Sequence, residues 1–248
     1  MSEFNEKMNY NPSFAERFYI DDHALLYGLL GKYADEICAE QGMDALAKAT
    51  VQYARERGLR MAKRCLADGR PLSMANYLLY AEWADTRGCS AIEVSGIVPR
   101  YLNHVEKCAW YDTWKKYGLL RYGAVYCTWV DKNLVKGFNP KNEVAIGSVL
   151  SHGAASCEFD WLGANFGSEQ EFYDLMELKK SMAQRNVKDF LYHTAHILSA
   201  LRRVFCVELG LEAAEEICRR ALADYKDIMG GEKLAALECE SRQDFFEI

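Results

Sequence analysis

The stretch Ser156-Cys157-Glu158-Phe159-Asp160-Trp161 decides the fold, because its side chains alternate between apolar and acidic. A period of two is typical of a β-strand, and it puts Cys157, Phe159 and Trp161 on one face and the two acids on the other. One apolar face predicts a strand that packs against a core on that side only.

Three further short runs have the same character and are bounded by Gly, Pro and Asn; they lie at 89–98, 101–107 and 143–151. With the run at 155–162 they predict a small antiparallel sheet. Two helices are expected between the second and third runs, at 109–117 and 121–136, ending at Gly118 and Gly137. The sequence therefore predicts the α+β class with a ββααββ middle.

The residues on both sides of this middle predict helical blocks. From Asp21 to Gln41 apolar residues recur every three or four positions, and Gly42 interrupts the pattern. The other expected helices lie at 44–67, 73–86, 168–184, 186–208 and 211–228. We expect a single domain over 1–248, divided into a helical block (13–87), a central α+β segment (88–165), a second helical block (166–230) and a polar tail (231–248).

The net charge and the composition limit the classes of molecule that this protein is expected to bind. Thirty Lys and Arg stand against 36 Asp and Glu, a net charge of −6, which repels phosphate backbones and anionic lipid surfaces. We therefore expect a small-molecule substrate and neither a nucleic-acid nor a membrane partner, and we leave open a homo-oligomer. The apolar runs are too short for a membrane helix, and the first residues lack the features of a signal peptide, which predicts a cytoplasmic protein.

The nine cysteines are expected to be reduced thiols, because their number is odd and no export signal is found. There is no CxxC pair, so the strong signal for a structural zinc site is missing, and we expect no metal and no cofactor. The motifs of P-loop proteins, dehydrogenases and zincins are also missing, and Ser151-His152-Gly153 lacks the first glycine of a nucleophile elbow. Unusual residues concentrate instead between His104 and Trp161.

Cys108 stands where a strand is expected to end and a helix to begin. The free amide groups and the dipole of a helix N-terminus favour a thiolate there, which makes Cys108 a candidate nucleophile. A buried capping thiol is the alternative. Cys127 and Asp131 are four residues apart, so they share one face of the 121–136 helix and can line one pocket. Asp131 is then exposed, capped by a donor, or functional.

His152 lies at a turn before the last strand, where it can act as an acid or base or be an ordinary surface histidine. Cys157 is expected to pack in the sheet. His193 and His196, with Asp189, share a helical face that permits a metal or acid–base cluster, although packing is the simpler interpretation.

Four arginines and a lysine crowd the helix at 44–67: Arg55, Arg57, Arg60, Lys63 and Arg64. A solvated basic face is the simplest interpretation of such a run. The alternative is that one arginine reaches a substrate carboxylate.

The central residues resemble a known family. Asn103-His104-Val105-Glu106-Lys107-Cys108, Tyr126-Cys127 with Asp131, Gly137-Phe138-Asn139-Pro140, and Gly153 followed by Cys157-Glu158-Phe159 are similar to the L-2-amino-thiazoline-4-carboxylic acid hydrolase family. The likeness covers about 60 residues well and the helical flanks loosely. The segment is also similar to the four-vinyl-reductase type of small-molecule-binding domain, but the zinc ligands of such domains find no match before Cys157.

The resemblance implies hydrolytic opening of a cyclic amidine-like ring, with N-carbamoyl-L-cysteine as the product for the family's named substrate. Such chemistry needs a nucleophile or activated water, a carboxylate for the protonated amidine and a proton donor for the departing sulfur. The resemblance selects Cys108, Cys127, Asp131, Asn139 and Cys157 as motif positions. Our hypothesis is that Asp131 pairs with the amidinium and acts as base, that Cys108 or Cys127 is the attacking or proton-relaying thiol, and that His152 is a candidate acid. The residues expected to bind substrate are Asn139, Cys157, Phe159 and Trp161.

Two other functions stay open at this point. A closed, dry pocket would favour a ligand-binding module without turnover, whereas a pocket that admits water favours hydrolysis. A large exposed apolar patch on the outer helices would favour a scaffold or assembly protein.

Overall fold

Helices enclose a small sheet in residues 12–246, the part of the chain that this computed structural model describes. The helices are α1 (Ile20–Ala67), α2 (Met74–Leu79), α3 (Ala109–Lys116), α4 (Leu120–Phe138), α5 (Glu169–Ser181), α6 (Ala183–Asn186), α7 (Phe190–Leu209), α8 (Leu211–Met229) and α9 (Gly231–Glu240). The strands are β1 (Ala91–Gly96), β2 (Arg100–Lys107), β3 (Glu143–Ile146) and β4 (Cys157–Asn165). Short 3₁₀ turns lie at Pro12–Arg17 and Leu150–His152.

The sheet is antiparallel throughout, with strand order β1-β2-β4-β3. Helices α3 and α4 lie between β2 and β3 in the chain, so the ββααββ order and the α+β class are confirmed. Strand β4 is central, paired with β2 through Asn103↔Phe159 and with β3 through Val144↔Trp161. The alternating stretch that identifies the fold in the sequence thus forms one of the two inner strands of the sheet.

Helix α1 is bent at Ala39, whose φ of 50° and ψ of −127° are not helical. The sequence predicts the break at Gly42, three residues later. Gly42 has a different role: a Cβ there would lie 1.9 Å from the backbone oxygen of Ala34, so only glycine lets the two arms of α1 approach this closely. The expected pair of helices is present, and the break precedes the glycine.

The long helix α1 lies at the centre of the fold and contacts α3, α4, α7 and α8. Helix α4 packs on α1 and also against β3 and the turn at Leu150–His152, so it joins the helices to the sheet. A residue of α4 that faces the sheet is therefore enclosed by three elements of structure. This arrangement positions the site described below.

Helix α2 is shorter than the expected 73–86. It begins as expected, with the Ser73 hydroxyl accepting a hydrogen bond from the Asn76 amide, but it ends at Leu79. Beyond it the backbone is held by side chains and other segments: the Asp85 carboxylate accepts from the Ser90 amide, and the Glu82 carbonyl accepts from the Lys188 amide. These bonds replace the helical ones.

The expected polar tail at 231–248 is wrong as a description of residues 231–246. They form α9 and a turn that returns to the core, where Phe245 is buried against His196 with ring centroids 4.7 Å apart. Arg60 Nη1 donates a hydrogen bond of 2.6 Å to the Phe245 carbonyl. The sequence did not predict this contact because Phe245 lies in a segment rich in charged residues.

No helix within residues 12–246 has a stretch long and apolar enough to cross a membrane. The first eleven residues, on which the expected lack of an export signal partly depends, lie outside the described part of the chain.

Candidate functional site

Two glycines set the distance between α1 and α4. A Cβ on Gly58 would lie 2.2 Å from the Leu134 backbone oxygen, and one on Gly137 would lie 2.5 Å from the backbone of α1. The helices therefore cross with their backbones in contact, which no larger residue permits. Gly137 lies inside α4, so the sequence-based prediction that it ends the helix is wrong. The crossing brings Arg57 close enough to Asp131 for its charge to act on that carboxyl.

Three thiols and one carboxyl from different elements meet beside this crossing. Cys108 caps α3, Cys127 and Asp131 lie on one face of α4, and Cys157 begins β4. Each is half-buried, and burial raises the pKa of each. The charges of Asp131 and of the thiols act on one another, so the four groups lie close together. We call these four residues the recess cluster.

Asp131 is the charged member of the recess cluster. Desolvation raises its pKa to about 6, and the nearby positive charge of Arg57 only partly offsets the shift. No hydrogen bond to the Asp131 carboxylate is formed by the residues from 12 to 246. At neutral pH the group is therefore mostly ionised, and it is a stronger base than an ordinary aspartate.

Cys108 occupies the expected position at the N-terminus of α3, but its thiolate is not favoured. The amides of Tyr111 and Trp110 lower its pKa, whereas desolvation acts more strongly and raises the pKa to about 11. The expectation from the helix dipole is therefore wrong, because the charged form loses more from burial than it gains from the amides.

The other two thiols are protonated for the same reason. Burial raises the pKa of Cys127 well above its usual range, despite the neighbouring Ser151 hydroxyl, and burial also raises the pKa of Cys157. The Leu150 amide donates to Cys157 Sγ at 3.3 Å. Near neutral pH the recess cluster thus offers one ionised carboxylate and three neutral S–H groups.

Aromatic rings extend the cluster along the sheet. The rings of Phe159 and Trp161 stack with their centroids 5.7 Å apart, and the Trp161 ring stacks on that of Tyr77 of α2 with a centroid distance of 5.6 Å. Trp161 Nε1 donates a 2.6 Å hydrogen bond to Asn103 Oδ1, which fixes the indole. On the other face of β4, Asp160 binds Arg100. The alternation in the sequence therefore predicted the two faces of β4 correctly.

The arginine-rich part of α1 is not the solvated basic face that the sequence predicts. Arg57, Arg60 and Arg64 are buried, and all three surround the fully buried Glu82. Arg55 lies nearer the surface and donates from Nε to Asn133 Oδ1 at 3.2 Å. The prediction of a solvated face compared only residues that are neighbours on one helix. It could not include Glu82, which lies 18 residues beyond Arg64 in the chain and outside that helix.

Two of the expected site residues lie apart from the recess cluster. His152 is exposed, with Nε2 3.2 Å from Thr128 Oγ1 and 3.4 Å from the Ala124 carbonyl, whereas its neighbour Ser151 faces Cys127. Asn139 ends α4. Its Nδ2 donates to the Leu72 carbonyl at 2.7 Å and its Oδ1 accepts from the Lys141 amide at 3.0 Å, so both ends of the amide hold the backbone.

The histidines of α7 are core residues. His193 Nε2 lies 3.2 Å from the Glu82 carbonyl, and His196 Nε2 lies 2.8 Å from Glu56 Oε2. Asp189 caps the helix by accepting from the Tyr192 amide at 2.8 Å. Within the described residues no group of three or more His, Cys, Asp or Glu side chains could hold a metal ion.

The stretch that carries this site matches a known family. A family model described as L-2-amino-thiazoline-4-carboxylic acid hydrolase matches residues 19–161, more than half of the chain. The chain belongs to that family. No curated protein matches it, and no solved structure matches it. The matched residues of this hydrolase family member run from the start of α1 to Trp161, so they include the whole recess cluster and Arg57.

No pattern in the sequence predicts a role for Ser151, Tyr77 or Asn103, and Arg57 stands there as one of several arginines. A signal for Arg57 does exist in the chain. Gly58 stands in the middle of a helix, where glycine destabilises, and Gly137 stands near the end of a second helix. Paired interior glycines indicate a close helix crossing. The residue next to such a glycine is a candidate for burial.

Proposed function

We propose that this protein hydrolyses a small cyclic amidine-like compound of the 2-aminothiazoline-4-carboxylate type. The observation that carries the proposal is the Asp131 carboxylate, which has a pKa of about 6, no hydrogen-bond partner among residues 12–246, and access to water. An amidinium group bears N–H donors and a positive charge, which are what this carboxylate lacks. Membership of the hydrolase family supports the same class of reaction.

The proposed reaction uses one water and one carboxylate. Asp131 accepts a proton from water while the water oxygen bonds to the ring carbon that carries sulfur and two nitrogens. The carbon–sulfur bond then breaks, Asp131 returns the proton to the departing sulfur, and the extra proton that the amidinium carried is released from the urea oxygen to solvent. The product has one added water, a new thiol and a urea group, which for the family's named substrate is N-carbamoyl-L-cysteine. A carboxyl with a pKa near the working pH performs both transfers well.

The thiols of the recess cluster are proposed as neutral groups rather than nucleophiles. With a pKa of about 11, Cys108 is a thiolate in only about one molecule in 10⁴ at pH 7. Attack by water, with Asp131 as base, avoids the cost of making that anion. The S–H groups, with Phe159 and Trp161, are left to line the site around the ring.

Water access favours hydrolysis over binding without turnover. A sealed site would keep a ligand and exclude the second reactant. The four members of the recess cluster each retain some contact with water. Exposed apolar residues on the outer helices, such as Val207 and Leu211, are individually common on protein surfaces and give weaker support for a scaffold.

The test is mass spectrometry of the purified protein incubated with L-2-amino-thiazoline-4-carboxylate. We expect one added water and a new free thiol, detected by a thiol reagent. Asp131→Asn should lower the rate by roughly 10²-fold to 10⁴-fold, because the base is removed. Asp112→Asn, which changes an exposed acid on α3, is the matched control and should keep the activity. Full activity in Asp131→Asn would refute the assignment.

Cys108→Ser separates the two possible nucleophiles. If water attacks, the variant should retain activity within about tenfold, since only an S–H group is replaced by O–H. A loss as large as that in Asp131→Asn, or a covalent adduct on Cys108 trapped during turnover, would restore the thiol as the attacking group.

A further inference from the structure

Within residues 12–246, Arg57 is the arginine of the Glu82 cluster that forms no hydrogen bond of normal length with Glu82, and its Nε is buried without a partner, as are Nε and Nη1 of Arg64. Glu82 Oε1 accepts from Arg60 Nε at 2.7 Å and from Arg64 Nη2 at 2.7 Å, and Glu82 Oε2 accepts from Arg60 Nη2 at 2.8 Å. Arg57 Nε lies 3.5 Å from Glu82 Oε2, an ion pair too long for a hydrogen bond. The Glu82 carboxylate thus accepts hydrogen bonds from two guanidinium groups, those of Arg60 and Arg64, and none of normal length from the third, that of Arg57.

No carboxylate within residues 12–246 accepts a hydrogen bond of normal length from the Arg57 guanidinium, and its side-chain partner is the neutral Tyr53. The guanidinium lies over the Tyr53 ring at 5.5 Å, and its Nε is buried without a partner. The Arg57 side chain is only 7% exposed. A buried cation with unused donors is costly, and natural proteins keep one where a ligand supplies the acceptor.

The aromatic neighbours of Arg57 are uncharged, and Glu82, 3.5 Å from Arg57 Nε, is an acid that opposes its charge. Trp110 Nε1 donates to His23 Nδ1 at 3.0 Å, so the His23 proton is on Nε2, which lies 3.0 Å from the Tyr53 hydroxyl. Tyr53 in turn lies against Arg57. These aromatic and neutral groups hold the guanidinium in place without supplying a negative charge.

Arg57 and Asp131 therefore form a pair of opposite charges at the crossing of α1 and α4, and within residues 12–246 neither is hydrogen-bonded to a group of opposite charge. We propose that Arg57 binds the carboxylate of the substrate, so that the site selects a zwitterion with its anionic group at Arg57 and its amidinium at Asp131. This inference rests on the proposed function and adds the residue that determines specificity. The planar fork of arginine matches a carboxylate in a bidentate manner, which an uncharged analogue cannot reproduce.

The experiment compares two compounds on the same enzyme: L-2-amino-thiazoline-4-carboxylate and 2-amino-2-thiazoline, which lacks the carboxylate. The measured quantity is the ratio of their kcat/KM values, which does not depend on the fraction of folded protein. We expect the wild type to prefer the carboxylate by roughly 100-fold, the scale of charge-assisted hydrogen bonds. Arg57→Met should remove most of that preference, and Arg57→Lys should retain part of it.

Arg64→Met is the matched control, because it removes another buried arginine of the Glu82 cluster from the same helix. Its ratio should stay at the wild-type value even if the protein is less stable. If Arg57→Met does not fold, the ratios of kcat/KM measured for Arg57→Lys and for the wild type still test the inference. The inference is overturned if the wild type does not discriminate between the compounds, or if the Arg57 variants keep the full preference.

Binding separates this inference from the proposed reaction. If neither compound is turned over, calorimetry gives the dissociation constants of the same two compounds. A preference for the carboxylate that depends on Arg57 would then support the carboxylate site, although the hydrolytic function had failed. Turnover whose preference for the carboxylate does not depend on Arg57 would support the hydrolytic function and refute the carboxylate site at Arg57.

Discussion

Glu82, which is fully buried, and Asp131, which is half-buried, share the neighbour Arg57 and have opposite properties. Burial alone would raise the pKa of Glu82, but Arg60 and Arg57 outweigh it and hold the pKa far below the usual range. Burial raises the pKa of Asp131 to about 6, since Arg57 is the only cation within residues 12–246 that opposes it appreciably. The number of hydrogen-bonded cations around each acid makes the difference.

This contrast separates a structural charge from a chemical one. Glu82 is saturated by donors from two arginines, so it stabilises the fold and has nothing left to offer a ligand. Asp131 is kept in the recess without donors, which costs stability and leaves its oxygens for a substrate or a water molecule. Replacing Glu82 by glutamine should therefore lower the free energy of unfolding, whereas replacing Asp131 by asparagine should raise it.

The largest effect is expected for Glu82→Gln. Removing this charge leaves Arg60 and Arg64 buried without a counter-ion, which costs about 3–5 kcal/mol of unfolding free energy. Urea unfolding followed by circular dichroism measures it. Glu216→Gln, which removes an exposed partner of Arg219 and Arg220, is the control and should leave the urea midpoint almost unchanged. Equal midpoints for the two variants would contradict a structural role of Glu82.

The next effect is the pH dependence of Asp131. Its folded pKa is above the unfolded one, so between about pH 4 and pH 6 the folded state binds more protons and this group's contribution to stability falls as the pH rises. Asp131→Asn should therefore gain about 1–3 kcal/mol over the wild type between about pH 4 and pH 7. Glu82 acts in the opposite sense: its contribution is present above the unfolded pKa and is lost as the pH falls.

The same titration should appear in catalysis. The base works only when ionised, so kcat/KM of the wild type should rise with pH through about 6 and then level off. A profile that rises only near the pKa of a thiol would indicate a cysteine instead, and a stability difference that does not change with pH would show that Asp131 is not desolvated.

The smallest effect is expected for His152→Gln. The side chain is exposed and lies against Thr128, away from the recess cluster, so kcat/KM should change by less than about twofold, whereas loss of a catalytic acid would cost roughly 10²-fold or more. Steady-state kinetics with the 4-carboxylate compound checks it. A large loss would return His152 to the catalytic machinery and would require the turn at Leu150–His152 to rearrange during turnover.

Much of the fold follows from local patterns. The alternation at 156–161 predicted β4 and its faces, and the spacing of Cys127 and Asp131 predicted their shared side of α4. Properties that depend on distant residues were predicted less well. The tail is predicted to be polar because charged residues alternate with its apolar ones, and the contact of Phe245 with His196 of α7 depends on a residue distant in sequence. The arginines of α1 are predicted to face solvent because Glu82 lies outside their helix.

The sequence by itself determined the ββααββ middle, the family and the chemical groups available, because periodicity and residue type are properties of neighbouring positions. Only the tertiary structure decided how those groups behave. Whether Cys108 is a thiolate, whether Arg57 is solvated and whether Asp131 is a base all depend on desolvation and on charges that come from other elements. The pKa of a side chain depends on its whole surroundings in space, and the close crossing of α1 and α4 at Gly58 and Gly137 sets those surroundings here.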